Sequence, residues 1–236
     1  MNRRSFPVII AAFSLLFVAS PIVKAGETWE SALAQMPLPA GAVHLQRTNC
    51  VSVVLHAFKS NDLVKAVIFM PGATDELYMF HRAEAVVTNA SPTLLDAVAA
   101  ITNQTLIRAT FRAPFLLLHS DEDPLEPLTE VRDEATAAKL RKAKLTPHAV
   151  YEDRDWDSLL FTLERTYGVW FYPKAQSTSS WHFYRHSLAG WNLTGWEGLQ
   201  AICLAGKTSF IVEHRKVVFA GDERVLAEPK LESFPR

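Results

Sequence analysis

His182, Tyr184 and His186 alternate along one extended segment, which places their side chains on a common strand face, and two histidines at that spacing can hold a metal ion. His119 with Asp121, Glu122 and Asp123 offers the ligands a hard cation accepts. Glu152, Asp153, Asp155 and Asp157 supply paired carboxylates suited to acid and base work. Each cluster also has a plainer reading. Acids that precede a helix favour its N-terminus, which accounts for the run from Glu152 to Asp157. Asp121 to Asp123 solvate a strand exit and open an acidic connection. The histidine pair reads as a half-exposed strand face. No glycine-rich phosphate loop and no Gly-x-Ser-x-Gly elbow occurs, and only nine glycines are present. The residues therefore nominate no catalytic group, no cofactor and no metal site.

The elements that position these residues belong to a mature chain of ordinary globular character. The 236 residues are 49% hydrophobic and 21% charged, with 24 basic against 25 acidic side chains. That balance leaves no electrostatic footprint for nucleic acid. Two cysteines exclude a disulfide scaffold and a thiolate zinc site. At the N-terminus Arg3 and Arg4 precede an apolar run from Val8 to Ala19, and Val23 and Ala25 occupy the positions a signal peptidase reads. Residues 1–25 are expected to be a signal peptide; the run is shorter than the ~20 residues a membrane span needs. Arg3-Arg4-Ser5-Phe6 also satisfies the core of a twin-arginine signal. The expected address is periplasmic or secreted, with no membrane span in the mature chain.

An internal repeat organises the mature chain. Val67 to Pro71 (VIFMP) matches Val169 to Pro173 (VWFYP), Tyr78 to Ala83 (YMFHRA) matches His182 to Ser187 (HFYRHS), and Leu95 to Val98 matches Leu199 to Ile202. Leu116 to Leu118 matches Val217 to Phe219, so the matches are collinear. In this alignment the partners of His182, Tyr184 and His186 are Tyr78, Phe80 and Arg82, which are not metal ligands. Val51, Val54, Leu55 and Phe58 mark an amphipathic helix, and Trp156, Leu159, Leu160, Leu163 and Tyr167 repeat it. A second helix starts at Ser91-Pro92 in one copy and at Thr194 with Glu197 in the other. Hairpins from Leu106 to His119 and from Phe210 to Ala220 end the copies. With leading strands at His44 to Arg47 and Ala149 to Glu152, each copy reads β-α-β-β-α-β-β.

The second copy, through Tyr167-Gly168-Val169-Trp170-Phe171-Tyr172, Leu188-Ala189-Gly190, Thr194-Gly195-Trp196-Glu197-Gly198-Leu199, Ala205-Gly206-Lys207-Thr208 and Val217-Val218-Phe219, resembles the STN domain, the short N-terminal domain of secretins and TonB-dependent receptors. Gly198 replaces the usual Ala and Lys207 is inserted before Thr208. The first copy keeps mainly Ser91 to Ala97 and the strand rhythm. The resemblance implies a periplasmic βαββαββ module that binds other envelope proteins, and it implies no chemistry.

The expected fold class is therefore α+β, with STN-like domains over 44–123 and 146–224, a charged helical linker over 124–145 and a loose tail over 225–236. The two halves are expected to hold separate sheets. Five of the six tryptophans fall in the second copy, and Trp181 and Trp191 flank its strand beside polar residues, where an indole half in water marks an interface anchor. The expected function is an exported protein-interaction module without enzymatic activity. It would use a sheet edge or a surface formed by Trp181, Trp191, His182, Tyr184 and His186 to hold an envelope protein partner. The competing class is an envelope glycan binder or hydrolase using exposed aromatics with Asp153 and Asp155. Cys50 and Cys203 stand at non-equivalent positions, and either a disulfide tying the copies together or two buried thiols satisfies them.

Overall fold

A computed structural model describes residues 28–38, 44–45, 50–70, 84–120, 126–144, 149–154, 164, 169–173, 186–190, 192–206 and 208–221. In chain order the elements are α1 (Trp29–Ala34), β1 (His44–Leu45), α2 (Cys50–Ala57), β2 (Ala66–Met70), β3 (Ala85–Val86), α3 (Leu94–Gln104), β4 (Arg108–Arg112) and β5 (Phe115–His119). They continue as β6 (Thr129–Val131), α4 (Glu134–Lys142), β7 (Ala149–Arg154), β8 (Trp170–Pro173), β9 (His186–Gly190), α5 (Gly195–Gly206), β10 (Thr208–Glu213) and β11 (Lys216–Gly221). The class is α+β.

The pairing pattern repeats. β1 lies antiparallel to β3, β2 parallel to β5, and β4 antiparallel to β5. The second half pairs β7 with β9, β8 with β11 and β10 with β11 in the same three senses. In the outer pairs His44 faces Val86 and Leu45 faces Ala85, while Ala149 faces Gly190 and Val150 faces Ala189. Val67 faces Leu116 but Phe171, not Val169, faces Val217, so β8 is shifted by two residues from the sequence match with β2. Both hairpins close on a two-residue turn, Arg112 facing Phe115 and Glu213 facing Lys216.

Three expectations need correction. First, α3 is not capped by Ser91. Thr93 holds that place: its side chain takes the Asp96 N–H, and Asp96 accepts the Thr93 N–H at 2.7 Å. This is the device used by Thr194 and Glu197, so the helices align through their capping threonines rather than through Leu95 and Leu199. Ser91 cannot cap, because the capping side chain must come from the extended residue immediately before the first helical turn.

Second, 129–144 is not one linker helix. Thr129, Glu130 and Val131 form β6 on the edge of β10, since a β-branched, alternating segment fits a strand better than a helix. The helix after it, α4, is docked: Ala137 and Leu140 are fully buried in the second core. Its exit mirrors that of α1. Met36 O accepts the Leu94 N–H at 2.8 Å and Ala143 O accepts the Gly195 N–H at 2.7 Å, so each repeat begins with a helix that the hydrophobic pattern does not mark.

Third, the repeats do not keep separate sheets. β2 of the first lies antiparallel to β9 of the second, with Ala66 facing Gly190 and Phe69 facing Ser187. The result is a five-stranded sheet in the order β4-β5-β2-β9-β7, beside a four-stranded sheet β6-β10-β11-β8 and the pair β1-β3. The reason is visible in β2 (AVIFM) and β5 (FLLLH), which are buried at every position. Continuous apolar strands must be covered on both faces. Val67, Phe69, Leu116 and Leu118 point into the first core with α2 and α3, whereas Ala66, Ile68, Met70, Phe115 and Leu117 point into the second. There α5 packs against both β2 and β9 and, on its other side, against β10. An ion pair crosses the junction: Lys65 Nζ donates to Glu197 Oε1 at 2.6 Å, while Oε2 of the same carboxylate caps α5. The strand matches at Tyr78 to Ala83 and His182 to Arg185, and the helix from Trp156 through Leu163, lie outside the described residues.

Candidate functional site

Of the residues singled out for chemistry, His119, Glu152, Asp153 and His186 lie among the described residues. His119 ends β5 and is buried, with its Nε2 2.8 Å from the Thr110 hydroxyl; its acidic neighbours 121–123 lie outside the described residues, as do Trp181, Trp191, His182, Tyr184, Asp155 and Asp157. His186 is placed by backbone alone, opening β9 opposite Arg154, and Glu152 and Asp153 likewise lie on β7.

Cys50 and Cys203 are free thiols buried in different cores, the first and the second respectively. Burial pushes both thiols up to about 12. In the unfolded chain a thiol ionises at about 8.5, so the folded state holds these protons more tightly and gains stability that is complete below that pH. It is lost as pH climbs from about 8.5 toward 12. Wild-type protein should resist alkylation at pH 8 and lose thermal stability between pH 9 and 11. The Cys50→Ala and Cys203→Ala double variant should lose less over the same interval; an equal loss would place the alkaline sensitivity elsewhere.

What the fold does assemble is an edge and a groove in the first repeat. β4 is flanked by β5 on one side, and among the described residues no strand lies along its other side. Its five residues alternate. Ala109 and Phe111 pack on the first core, and Thr110 turns to His119 on the opposite face. In a two-residue hairpin the closing pair exchanges both backbone hydrogen bonds and the next pair does not. With Arg112 and Phe115 as the closing pair, the N–H and C=O of Phe111 and Ala109 point outward along the free edge. Beside them lies an open groove of about 410 Å³ between α1, α3 and β4, where Trp29, Leu95 and Val98 meet the polar Glu30, Asn103 and Arg108. Arg108 is exposed, and Arg112 approaches Glu126 at 3.8 Å. Leu106, just ahead of the strand, is 78% exposed. Such a surface offers backbone hydrogen bonds, apolar contact and positive charge. Among the described residues no helix is long and apolar enough to cross a membrane.

Comparison with protein-family models, with curated proteins and with solved structures returned no match. The site is therefore read from its own geometry. Sequence reasoning points to sheet edges in general but not to this one. Its signal is Arg-Ala-Thr-Phe-Arg, an alternating segment beside strands that are apolar throughout.

Proposed function

We propose that this chain is an exported cell-envelope protein-interaction module without enzymatic activity, built of two STN-like repeats, and that it holds its partner along the β4 edge. The observation that carries the reading is the edge of β4, unpaired among the described residues, lying directly against a groove that mixes apolar side chains with Glu30, Thr102, Asn103 and Arg108. An extended segment added there would gain main-chain hydrogen bonds from the strand and side-chain specificity from the groove. Several described carboxylates serve structure, which supports a non-catalytic assignment: Asp96, Asp133 and Glu197 cap helices, and Glu130 and Glu213 pair with Arg132. The matched senses of strand pairing, the like hairpin turns and the paired capping boxes support reading the halves as copies of one module.

Photo-crosslinking from position 106 in living cells tests this. The envelope fraction should contain a discrete adduct whose bait chain begins at Gly26. Ala99→Lys, which fills the groove from the half-exposed side of α3, should abolish that adduct while leaving the unfolding temperature within a few degrees. Ala109→Pro, which removes one outward N–H, should act alike. Adducts that survive both variants, or a bait that keeps Met1 in the cytoplasm, would overturn the proposal.

A further inference from the structure

The second repeat already contains a strand in the position that, among the described residues, stands open beside β4. β10 is the repeat equivalent of β4, as its hairpin turn and the capping threonine of the preceding helix show. Along its edge runs β6, parallel, with Thr129 beside Phe210, Glu130 beside Ile211 and Val131 beside Val212. The outward groups are used: the Phe210 N–H donates to Leu128 O at 3.1 Å and Val212 O accepts the Arg132 N–H at 2.8 Å. Arg132 then reaches Glu213, the last residue of β10, at 2.9 Å and also holds Glu130.

The equivalent of Glu213 in the first repeat is Arg112, so the charge at the end of the edge is reversed, and the chain's own Glu126, 3.8 Å away and largely exposed, is the carboxylate that a partner's would join or displace. We propose that β4 takes an extended segment of a partner protein, running parallel to it, with a carboxylate at the position that Arg132 holds beside β10. This rests on the reading of the chain as an interaction module and names the partner's chemistry. The alternate residues of that segment, in the places of Thr129 and Val131, come beside Ala109 and Phe111, which pack on the first core, and are apolar. The charge argues for a foreign segment. A second copy adding its own β4 in antiparallel fashion about Thr110 would set Arg108 opposite Arg112 twice, and like charges directly opposite destabilise a strand pair. Another copy's β6 would bring Arg132 to Arg112.

Two peptides test the proposal on the full mature chain: residues 126–133 as they stand, and the same peptide with Arg132→Asp. The Arg132→Asp peptide should bind about five-fold more tightly at low salt, the scale of exchanging a like-charge contact for an exposed ion pair. It should shift the Ala109 and Phe111 amide resonances. A spin label at its N-terminus should broaden signals near Arg108, as parallel pairing requires. Arg112→Glu should reverse the order of the two peptides. Equal affinities, no reversal, or broadening centred on Arg112 would overturn the inference while leaving the envelope crosslinking result untouched. Chain self-association that Arg112→Glu strengthens would identify a second copy as the occupant and overturn it too. If neither peptide binds and the crosslinked adduct is also missing, the interaction-module reading fails with it.

Discussion

Ile68→Ala will expose Cys50 and Cys203 to a thiol reagent at the same denaturant concentration, although the substitution touches only the core that holds Cys203. Ile68 is fully buried and points from β2 into the second core, and Cys50 lies in the first, across the sheet. Removing three carbons from a filled interior costs about 2–5 kcal/mol, with the spread set by how far the neighbours collapse. For a chain of this size that is a fall in unfolding temperature of roughly 5–15 °C. In two independently folded units the loss would fall on one, and Cys203 would react well before Cys50. Here β2 serves both cores with alternate residues, so neither core survives the loss of the other. Thiol labelling followed through a urea titration, with the far-ultraviolet signal recorded alongside, decides between one transition and two.

Gly190→Ala will destabilise the protein by about 1–3 kcal/mol, the usual cost of overfilling a packed site, and Leu193→Val will restore at least half of the loss. Gly190 sits where three strands meet, facing Ala66 on β2 and Ala149 on β7. A Cβ there would stand 2.6 Å from Leu193 Cδ1 and 3.3 Å from Ala66 Cβ. Leu193 is itself buried, so its terminal methyl cannot swing into solvent, and shortening that side chain is the relief available. Gly190→Val should cost more and resist the same rescue, because its further branches crowd Ala66 Cβ as well as Leu193. Thermal unfolding of the three variants measures all of this. A neutral Gly190→Ala would mean that the strand crossing has slack and that the join between the repeats tolerates side chains.

The sequence yields this fold unevenly, for physical reasons. Local periodicity finds the helices and strands, because the stripe of Val51, Val54 and Leu55 and the alternation in β4 are set within a few residues. Repetition finds the equivalence of the halves, and it does so even though the helix alignment through Leu95 and Leu199 is shifted from the one that the threonine caps define. Neither signal reports which strand lies beside which across a hundred residues. The pairing of Val67 with Ala189 leaves a trace only in composition, as β2 and β5 lack the polar alternate positions of a one-sided sheet. The short helix Trp29–Ala34 escapes a periodicity search because six residues give too few turns for a stripe, and its capping pair Thr28 and Ser31 is the available clue. For the site, the alternating edge strand is legible, whereas the groove beside it depends on how α1 and α3 are set against the sheet.

A shared sheet also imposes an order in time. The first repeat is synthesised through His119 before Gly195 of α5 exists, and ribosomes add about 5–20 residues each second. For several seconds Ala66, Ile68, Met70, Phe115 and Leu117 therefore have no helix to cover them. A chain that closed its first core during that interval would present a flat apolar sheet face to every other nascent protein. One that is threaded across a membrane unfolded, and allowed to collapse only when both halves have arrived, never passes through that state.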